Sequence, residues 1–323
     1  MSGAADDVAD LVTRAREGQP RAVARLISLV EDASPRLREV MAGLAPYAGH
    51  AQVVGVTGPP GVGKSTTTSA LVGALRAQGR RVGVLAVDPS SPFSGGALLG
   101  DRVRMQEHAL DSGVYIRSMA SRGHLGGLAW AAPQALRVLD AAGCDVVVVE
   151  TVGVGQSEVD VAGLADTTLV LLAPGMGDGI QAAKAGILEI GDVFVVNKAD
   201  RDGAEQTRRE LRTMVSLGSR EESDWRPPIV LTVAQTGAGI DEVVARVDEH
   251  RGWSVSSGDL RRRRLRRARA EVEAIAMTVV RARWNAEHAR GGTELLDQLA
   301  AQVVEGVSDP YAAADRLLTT TPG

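Results

Sequence analysis

A glycine-rich segment followed by lysine and serine gives the clearest chemical signal in this sequence. Residues 58–65 read GPPGVGKS, which fits the pattern G-x-x-x-x-G-K-S between an apolar run and a helical one. Glycines allow backbone N–H groups to surround a phosphate, and the following helix N-terminus adds its dipole. The lysine would reach the β- and γ-phosphate oxygens, and the serine would bind Mg²⁺. The predicted phosphate-binding residues are Gly58, Pro59, Pro60, Gly61, Val62, Gly63, Lys64, Ser65 and Thr66.

Lysine itself is rare in this chain, which has three lysines against 33 arginines. A compact, flexible ammonium can do what a planar guanidinium cannot, so each retained lysine is a candidate for function. Lys64 lies in the glycine-rich segment, and Lys198 lies in the tetrapeptide NKAD. Lys184 follows a glycine-rich stretch between them.

Carboxylates at the ends of predicted strands supply the metal chemistry that a phosphate site requires. Glu150 follows the run Val146–Val149 and begins the pattern E-x-x-G, in which the Gly153 N–H would sense the γ-phosphate. Asp88 ends another predicted strand, and a cap of a turn is the alternative reading for it. Asp101 follows the small loop 89–100 and could pair with Mg²⁺-bound water, with no functional role as an equally open alternative. The predicted catalytic set is Lys64, Asp88, Asp101, Glu150 and Gly153, and the predicted metal set is Ser65, Asp88 and Glu150.

The tetrapeptide Asn197–Asp200 has the chemistry of a guanine reader. A carboxylate at Asp200 can accept hydrogen bonds from both N1–H and the 2-amino group of guanine, which adenine does not present together. Asn197 would tie this loop to the phosphate loop, and the stem of Lys198 can lie over the base. The segment Val233, Ala234 and Gln235 could close over the guanine oxygen, although a plain turn after a strand fits it nearly as well. GTP and GDP are therefore the predicted ligands, together with Mg²⁺.

The elements that must position these residues alternate between apolar strands and helices across residues 51–250. Continuous apolar strands separated by helices predict an α/β fold with a mainly parallel central sheet covered on both faces. Residues 1–50 are predicted to form a helical extension and linker, residues 51–250 the nucleotide-binding domain, and residues 251–323 a further helical region. The predicted strands are Val53–Thr57, Val82–Asp88, Val114–Ser118, Val146–Glu150, Thr168–Ala173, Val193–Asn197 and Ile229–Val233.

Composition argues against several classes of protein. The net charge of −4 is unusual for a general nucleic-acid binder. The longest apolar runs are too short to span a bilayer, and the acidic N-terminus does not resemble a signal peptide, so the cytoplasm is expected. One cysteine and five scattered histidines offer no metal-ligand spacing. Residues 261–269 carry seven arginines; a solvated helix face or a dimer surface is favoured there over a nucleic-acid patch.

Three segments carry a family resemblance: Asp88–Met105, Arg122–Gly127 and Glu150–Glu158. They resemble the MeaB/ArgK/MMAA family, a branch of the G3E class of P-loop GTPases. The E-x-x-G variant at Glu150 is typical of that class. The resemblance extends to the helical segment Arg21–Val30, so it covers most of the chain. It implies a P-loop NTPase fold with helical N- and C-terminal extensions.

The resemblance also implies function and partners. Members of this family are GTP-hydrolysing chaperones of adenosylcobalamin-dependent acyl-CoA mutases, chiefly methylmalonyl-CoA mutase, and they gate cofactor loading and protect or reactivate the mutase. The adenosylcobalamin belongs to the mutase. Members are homodimers to which the C-terminal helices contribute. The family's Mg²⁺ and switch carboxylates fall on Asp88, Asp101 and Glu150, and its coupling loop falls on residues 175–184, with Asp178, Gln181 and Lys184 as the polar residues.

Two other functions stay open from the residues alone. A G3E metallochaperone would be expected to carry a cysteine–histidine cluster, and a small-molecule kinase would rarely require a guanine reader. Hydrolysis is expected to be slow in the isolated protein, because Val154 stands where small GTPases place a water-orienting glutamine. Gln156 could substitute for that glutamine, or it could serve only in packing.

Overall fold

The computed structural model describes residues 7–89, 105–121, 131–151, 157–175, 187–216, 224–291 and 293–320. The chain divides into two compact units, residues 1–264 and residues 265–323. The predicted catalytic residues Asp101 and Gly153 and the predicted coupling residues Asp178, Gln181 and Lys184 lie outside the described residues. The predicted division at residues 50 and 250 stays a prediction.

A parallel sheet forms the centre of the first unit. Its described strands run in the order β3-β2-β4-β1-β5-β6-β7, and every neighbouring pair is parallel. The predicted α/β fold of the P-loop NTPase type is thereby confirmed. The strands are β1 Gln52–Thr57, β2 Val82–Pro89, β3 Val114–Ser121, β4 Val146–Thr151, β5 Thr167–Leu172, β6 Val193–Val196 and β7 Ile229–Leu231.

Helices cover both faces of this sheet, which explains why its strands are apolar on both sides. On one face, α1–α3, α5 and α6 form a single buried cluster with side chains of β1–β4. On the other face, α4 and α9 pack against β1, β2 and β4–β7. The helix α8 packs against Val170 and Leu172 of β5 and against β6. These residues alternate with those that face α4 and α9, so α8 lies on the first face. The helices are α1 Val8–Arg16, α2 Pro20–Glu31, α3 Leu37–Leu44, α4 Lys64–Ala77, α5 Ala132–Ala141, α6 Ser157–Leu164, α7 Ile187–Ile190, α8 Ala204–Ser216 and α9 Ile240–Ser256.

The central position of β1 brings the predicted site residues together. It pairs with β4 on one side and with β5 on the other, with Val56 opposite Glu150. The carboxyl ends of these parallel strands therefore meet at one edge of the sheet, where ligands bind in open α/β folds. The glycine-rich segment follows β1 directly, so it lies beside the end of β4.

The opposite edge of the sheet is held by two buried ion pairs. Asp192, just before β6, receives two 2.8 Å hydrogen bonds from Arg263, and Asp166, just before β5, receives two from Arg264, of 2.7 and 3.3 Å. Each aspartate also accepts a backbone N–H, Asp192 from Thr168 and Asp166 from Val53. The expectation that the arginine run is a solvated or dimer-facing surface is therefore wrong for these two arginines.

Replacing Asp192 with asparagine is expected to lower the free energy of unfolding by about 3 kcal/mol, because it leaves Arg263 without its anionic partner at a largely buried site. Burial by itself would raise the pKa of Asp192, but the His250 ring, whose Nε2 lies 3.3 Å from Asp192 Oδ1, and the charge of Arg263 outweigh it and hold this pKa below the usual range. The ionised carboxylate thus stabilises the folded state fully above about pH 4, and this contribution is lost as the pH falls through the lowered pKa.

Chemical denaturation of the wild type and the Asp192→Asn variant between pH 7 and pH 3 measures this difference. The gap should be constant above about pH 5 and should narrow below about pH 4. Asp248→Asn is the matched control, since Asp248 also receives two hydrogen bonds from one arginine, Arg80, but is 38% exposed. That change should cost less than about 1 kcal/mol. A gap that widens in acid would contradict the assignment.

The second unit contains the end of one helix and two more, α11 and α12, that contact each other. Its described residues expose several large apolar side chains. None of the helices in the described ranges combines the length and apolar character needed to cross a membrane. The helices are α10 Asp259–Gly291, which begins in the first unit, α11 Thr293–Val304 and α12 Pro310–Thr320, and the exposed apolar residues include Leu265, Val272, Met277, Val280, Val304 and Tyr311.

Candidate nucleotide-binding site

Two positions of the phosphate loop, residues 58–65, require glycine because other groups approach them closely. Gly58 has φ 141°, and a Cβ there would lie 2.3 Å from the Leu171 carbonyl oxygen. Gly63 has φ 95°, and a Cβ there would lie 2.5 Å from the Asn197 amide nitrogen. Both positions have a backbone conformation that L-residues rarely adopt, and neither has room for a side chain. The loop is therefore wedged between β5 and the segment after β6.

Lys64 is the first residue of α4 and is already turned into the loop. Its Nζ donates to the carbonyl oxygens of Gly58 at 2.6 Å and Pro59 at 3.1 Å, and the residue is only 7% exposed. The first N–H groups of a helix have no partner within the helix, and they carry its positive dipole end. The Lys64 ammonium and the first N–H groups of α4 lie together, and both favour an anion, so they form a site for a phosphate.

The next residue, Ser65, meets the carboxylate predicted for the metal. Its Oγ donates to Glu150 Oε1 at 2.6 Å, and both residues are buried. A hydroxyl and a carboxylate are hard oxygen ligands of the kind that Mg²⁺ takes beside nucleotide phosphates, so these two residues fit a magnesium ion. The backbone of Asp88 lies in β2, next to Val87, which is paired with Thr151 of β4. The Asp88 side chain lies outside the described residues.

A single amide connects the phosphate end of the site with the opposite end. Asn197 donates from Nδ2 to the Val62 carbonyl oxygen at 2.9 Å. Its Oδ1 accepts from the Thr232 hydroxyl at 3.2 Å and from the Ala234 N–H at 3.0 Å. Asn197 is 3% exposed, so these hydrogen bonds are shielded from water and hold three loops at fixed separation. The predicted tie between NKAD and the phosphate loop is present.

The other two polar residues of NKAD, Lys198 and Asp200, have different surroundings. Lys198 adopts a left-handed conformation with φ 57°, and its Nζ donates to the Gly61 carbonyl oxygen at 2.7 Å. Its stem therefore runs from the NKAD loop to the phosphate loop, as a side chain lying over a bound base would. Asp200 is exposed, so its carboxylate is accessible to a ligand.

Comparison with known proteins decides which site this is. A sequence model described as "Methylmalonyl Co-A mutase-associated GTPase MeaB" matches residues 23–289. The chain belongs to the MeaB family. A Pyrococcus abyssi protein named as a GTPase is 48% identical over 311 residues, covering 96% of this chain and 95% of its own. The Mus musculus protein "Methylmalonic aciduria type A homolog, mitochondrial" is 35% identical, covering 95% of this chain and 78% of its own.

A solved structure supports the same fold. The crystal structure of a LAO/AO transport system kinase matches with a TM-score of 0.70 and 28% identity, and the match covers 97% of this chain and 96% of that one. The MeaB-family membership and the GTPase names of its relatives make this chain a GTPase of the G3E class. GTP and GDP are accordingly its nucleotides.

Two features of this MeaB-family site were not predicted. The Thr232 hydroxyl supports Asn197, and the Ala234 N–H donates to the same amide. In the predicted closing segment, Val233 bonds to Ala238 through its N–H, while Gln235 is exposed and can face a base. The sequence signal for the contact between Thr232 and Asn197 was a threonine directly after an apolar strand. This signal was weak, because the two residues are 35 positions apart and nothing local relates them.

Proposed function

We propose that this MeaB-family GTPase is a chaperone of an adenosylcobalamin-dependent acyl-CoA mutase, chiefly methylmalonyl-CoA mutase. The observation that carries the proposal is the family match over residues 23–289, whose description names that mutase. The name of the mouse relative points to the same metabolism. GTP binding and hydrolysis would gate delivery of adenosylcobalamin, which belongs to the mutase, and would protect or reactivate that enzyme.

The described residues support the following division of work on GTP. Lys64 would leave its carbonyl partners and bind the β- and γ-phosphate oxygens, where its charge stabilises the transition state. The first N–H groups of α4 would hold the β-phosphate. Magnesium, when bound, neutralises developing negative charge on the phosphates; Ser65 and Glu150 would hold it, with Asp88 as a further candidate. Asp101 would orient water on the ion, and the Gly153 N–H would meet the γ-phosphate.

Guanine selection is assigned to the opposite end of the site. Asp200 would accept both guanine donors, and Lys198 would cover the base. Gln235, beside Val233 and Ala234, would close over the guanine oxygen. The buried Asn197 supports this division, because its side chain joins the phosphate loop to the base loop, residues 197–200.

The partner surfaces are proposed at a coarser level. Residues Asp178, Gln181 and Lys184 are assigned to coupling with the mutase. The exposed apolar side chains of the second unit, such as Val272, favour a homodimer that buries them. Nucleic acid and membranes are not proposed as partners. A reducing cytoplasm suits Cys144, a buried lone thiol whose pKa burial raises to about 12.

Phosphate release from GTP, with ATP as control, tests this function with and without a candidate adenosylcobalamin-dependent mutase. Slow guanine-specific release that rises at least about tenfold with the mutase is expected, since a partner can order the switch residues. Release that stays unchanged with every acyl-CoA mutase tested would reject the chaperone role while keeping the GTPase. A phosphorylated metabolite in place of free phosphate would indicate a kinase, and stimulation by a metal-free metalloenzyme would indicate metal insertion.

A further inference from the structure

A groove lies between the end of α8 and the start of β7, at one edge of the parallel sheet. Its volume is about 520 Å³, and both guanidinium groups and apolar side chains line it. Because β7 is the last strand in the order of the described sheet, one of its sides faces away from the other described strands. We call this the β7 groove, and its lining includes Arg212, Val215, Arg226, Pro227, Pro228 and Ile229.

The backbone of β7 offers hydrogen-bonding groups on the side that faces away from the sheet. The Pro228 carbonyl oxygen accepts from the Phe194 N–H of β6 at 2.9 Å. Two positions beyond β7's first residue the same pattern continues, since the Thr232 N–H donates to the Val196 carbonyl oxygen at 2.9 Å. Alternate residues of a strand direct their N–H and C=O groups to opposite sides, so those of Ile229 point away from β6. A sheet edge of this kind can take an extended peptide as a further strand.

The charge of the β7 groove is positive. Arg212 of α8 and Arg226 just before β7 are exposed, and neither forms a hydrogen bond or an ion pair with any residue that the structure describes. By contrast, Arg208, one turn earlier on α8, pairs with Glu205 at 2.7 Å. Two full positive charges outweigh the partial negative charge at the end of α8. The β7 groove is therefore complementary to carboxylates, which guanidinium groups bind through paired hydrogen bonds.

An extended acidic peptide matches the backbone and the charges at once. The Ile229 side chain packs with the cluster that α8 covers, so a peptide residue paired beside it would face α8 as well. Side chains on one face of a strand recur about every 7 Å, which lets alternate acidic residues reach the two arginines. Pro227 and Pro228 have no N–H, and with Val215 they give the groove an apolar wall. A free phosphate could pair with the arginines but would leave the Ile229 backbone unused.

We propose that the β7 groove is a docking site for an extended acidic segment of a partner protein. The segment adds to β7 as a further strand, and its carboxylates pair with Arg212 and Arg226. The groove lies at the amino end of β7, whereas the nucleotide site lies at the carboxyl ends of the strands, so the two can be occupied together. The proposal therefore does not depend on the identity of the mutase.

Fluorescence anisotropy with the full chain tests the charge pairing. The probe is a labelled ten-residue peptide with glutamate at every second position and threonine, which favours an extended chain, between them. Replacing Arg212 or Arg226 with alanine is expected to weaken its binding about three- to tenfold, and replacing both about ten- to 100-fold. Arg38→Ala is the matched control, since Arg38 is an exposed arginine on α3, and it should leave the affinity unchanged.

Hydrogen exchange of the Ile229 amide tests strand addition in the wild type. Saturating peptide should slow this exchange at least about tenfold, because the amide gains a hydrogen-bond acceptor. The Thr232 amide is the internal reference, since it already bonds to Val196 and should change little. GTP turnover and the Tm of every arginine variant should stay close to the wild-type values, because the substituted side chains are exposed and lie outside the nucleotide site.

Three results would overturn the proposal. The first is a wild-type protein that does not bind the peptide, and the second is binding that the double variant does not weaken. The third is binding that leaves the Ile229 amide exchanging at its free rate, which would reduce the groove to a site for charge alone. Inorganic phosphate or a ten-nucleotide single-stranded DNA that displaces the peptide at equal concentration of charge would likewise indicate a general anion surface and reject a peptide site.

Discussion

Replacing Lys64 with methionine is expected to lower kcat/KM for GTP about 100- to 1,000-fold, as removal of one preorganised donor to a developing charge does in other enzymes. Methionine keeps the length and apolar stem of lysine but has no charge to place on the phosphates. The Lys64 ammonium donates to the Gly58 and Pro59 carbonyl oxygens within its own loop, and methionine keeps the buried stem, so the change should affect the free energy of unfolding much less than the rate. Steady-state phosphate release at saturating Mg²⁺ measures the effect.

Two further variants test whether the effect depends on the shape and the position of the Lys64 charge. Lys64→Arg should be nearly as inactive, because the planar guanidinium is larger than the ammonium and the residue is 7% exposed within a closed loop. Arg209→Met, on the exposed side of α8, removes a positive charge away from the site and should leave kcat/KM unchanged. Activity of Lys64→Met within tenfold of the wild type would show that the loop does not act on phosphate through this residue.

Replacing Asp200 with asparagine should exchange guanine preference for xanthine preference. The carboxylate is proposed to accept two hydrogen bonds from guanine, each worth about 1.5–3 kcal/mol because the acceptor is charged, so GTP affinity should fall about 100- to 10,000-fold. The asparagine amide can instead donate to the oxygen that xanthine carries at position 2, while its carbonyl accepts from N1–H. Equilibrium binding of GTP and of xanthosine triphosphate measures the exchange.

Asp202→Asn is the matched control for this change, since Asp202 is also exposed and lies two residues further along the same loop. It should bind GTP and xanthosine triphosphate as the wild type does. An Asp200→Asn variant whose ratio of the two affinities is unchanged would remove Asp200 from the base-reading role, whatever its effect on overall affinity.

The sheet and the phosphate site could be predicted from the sequence because both are encoded locally. Apolar runs such as Val146–Val149 need no knowledge of their neighbours to indicate a buried strand, and GPPGVGKS brings its glycines, lysine and serine within eight residues. The errors in strand ends are small: β3 extends to Ser121 instead of Ser118, and β7 ends at Leu231 instead of Val233. Strand ends depend on the length of the neighbouring strand, which a single run does not reveal.

The contacts that tie the fold together could not be predicted, because they join distant parts of the chain. Arg263 reaches Asp192 across 71 positions, and Arg264 reaches Asp166 across 98. Within RRRRLRRAR these two arginines look like their neighbours, and only the folded sheet brings the two aspartates to the start of α10. Ser69 and Glu107 are a similar case, 38 positions apart and each an ordinary polar residue on its own element.

The buried amide of Asn197 also restricts how a nucleotide can leave. Val62 of the phosphate loop and Thr232 and Ala234 of the segment after β7 all bond to this one side chain. Moving the base loop, residues 197–200, away from both of these segments would therefore break three shielded hydrogen bonds. We therefore expect GDP to leave after movement around the phosphates, where Ser65 and Glu150 lie, rather than by separation of these three segments. A protein that accelerates nucleotide exchange would then be expected to act near Ser65 and Glu150, and one that binds only the base loop would be expected to leave the dissociation rate of GDP unchanged.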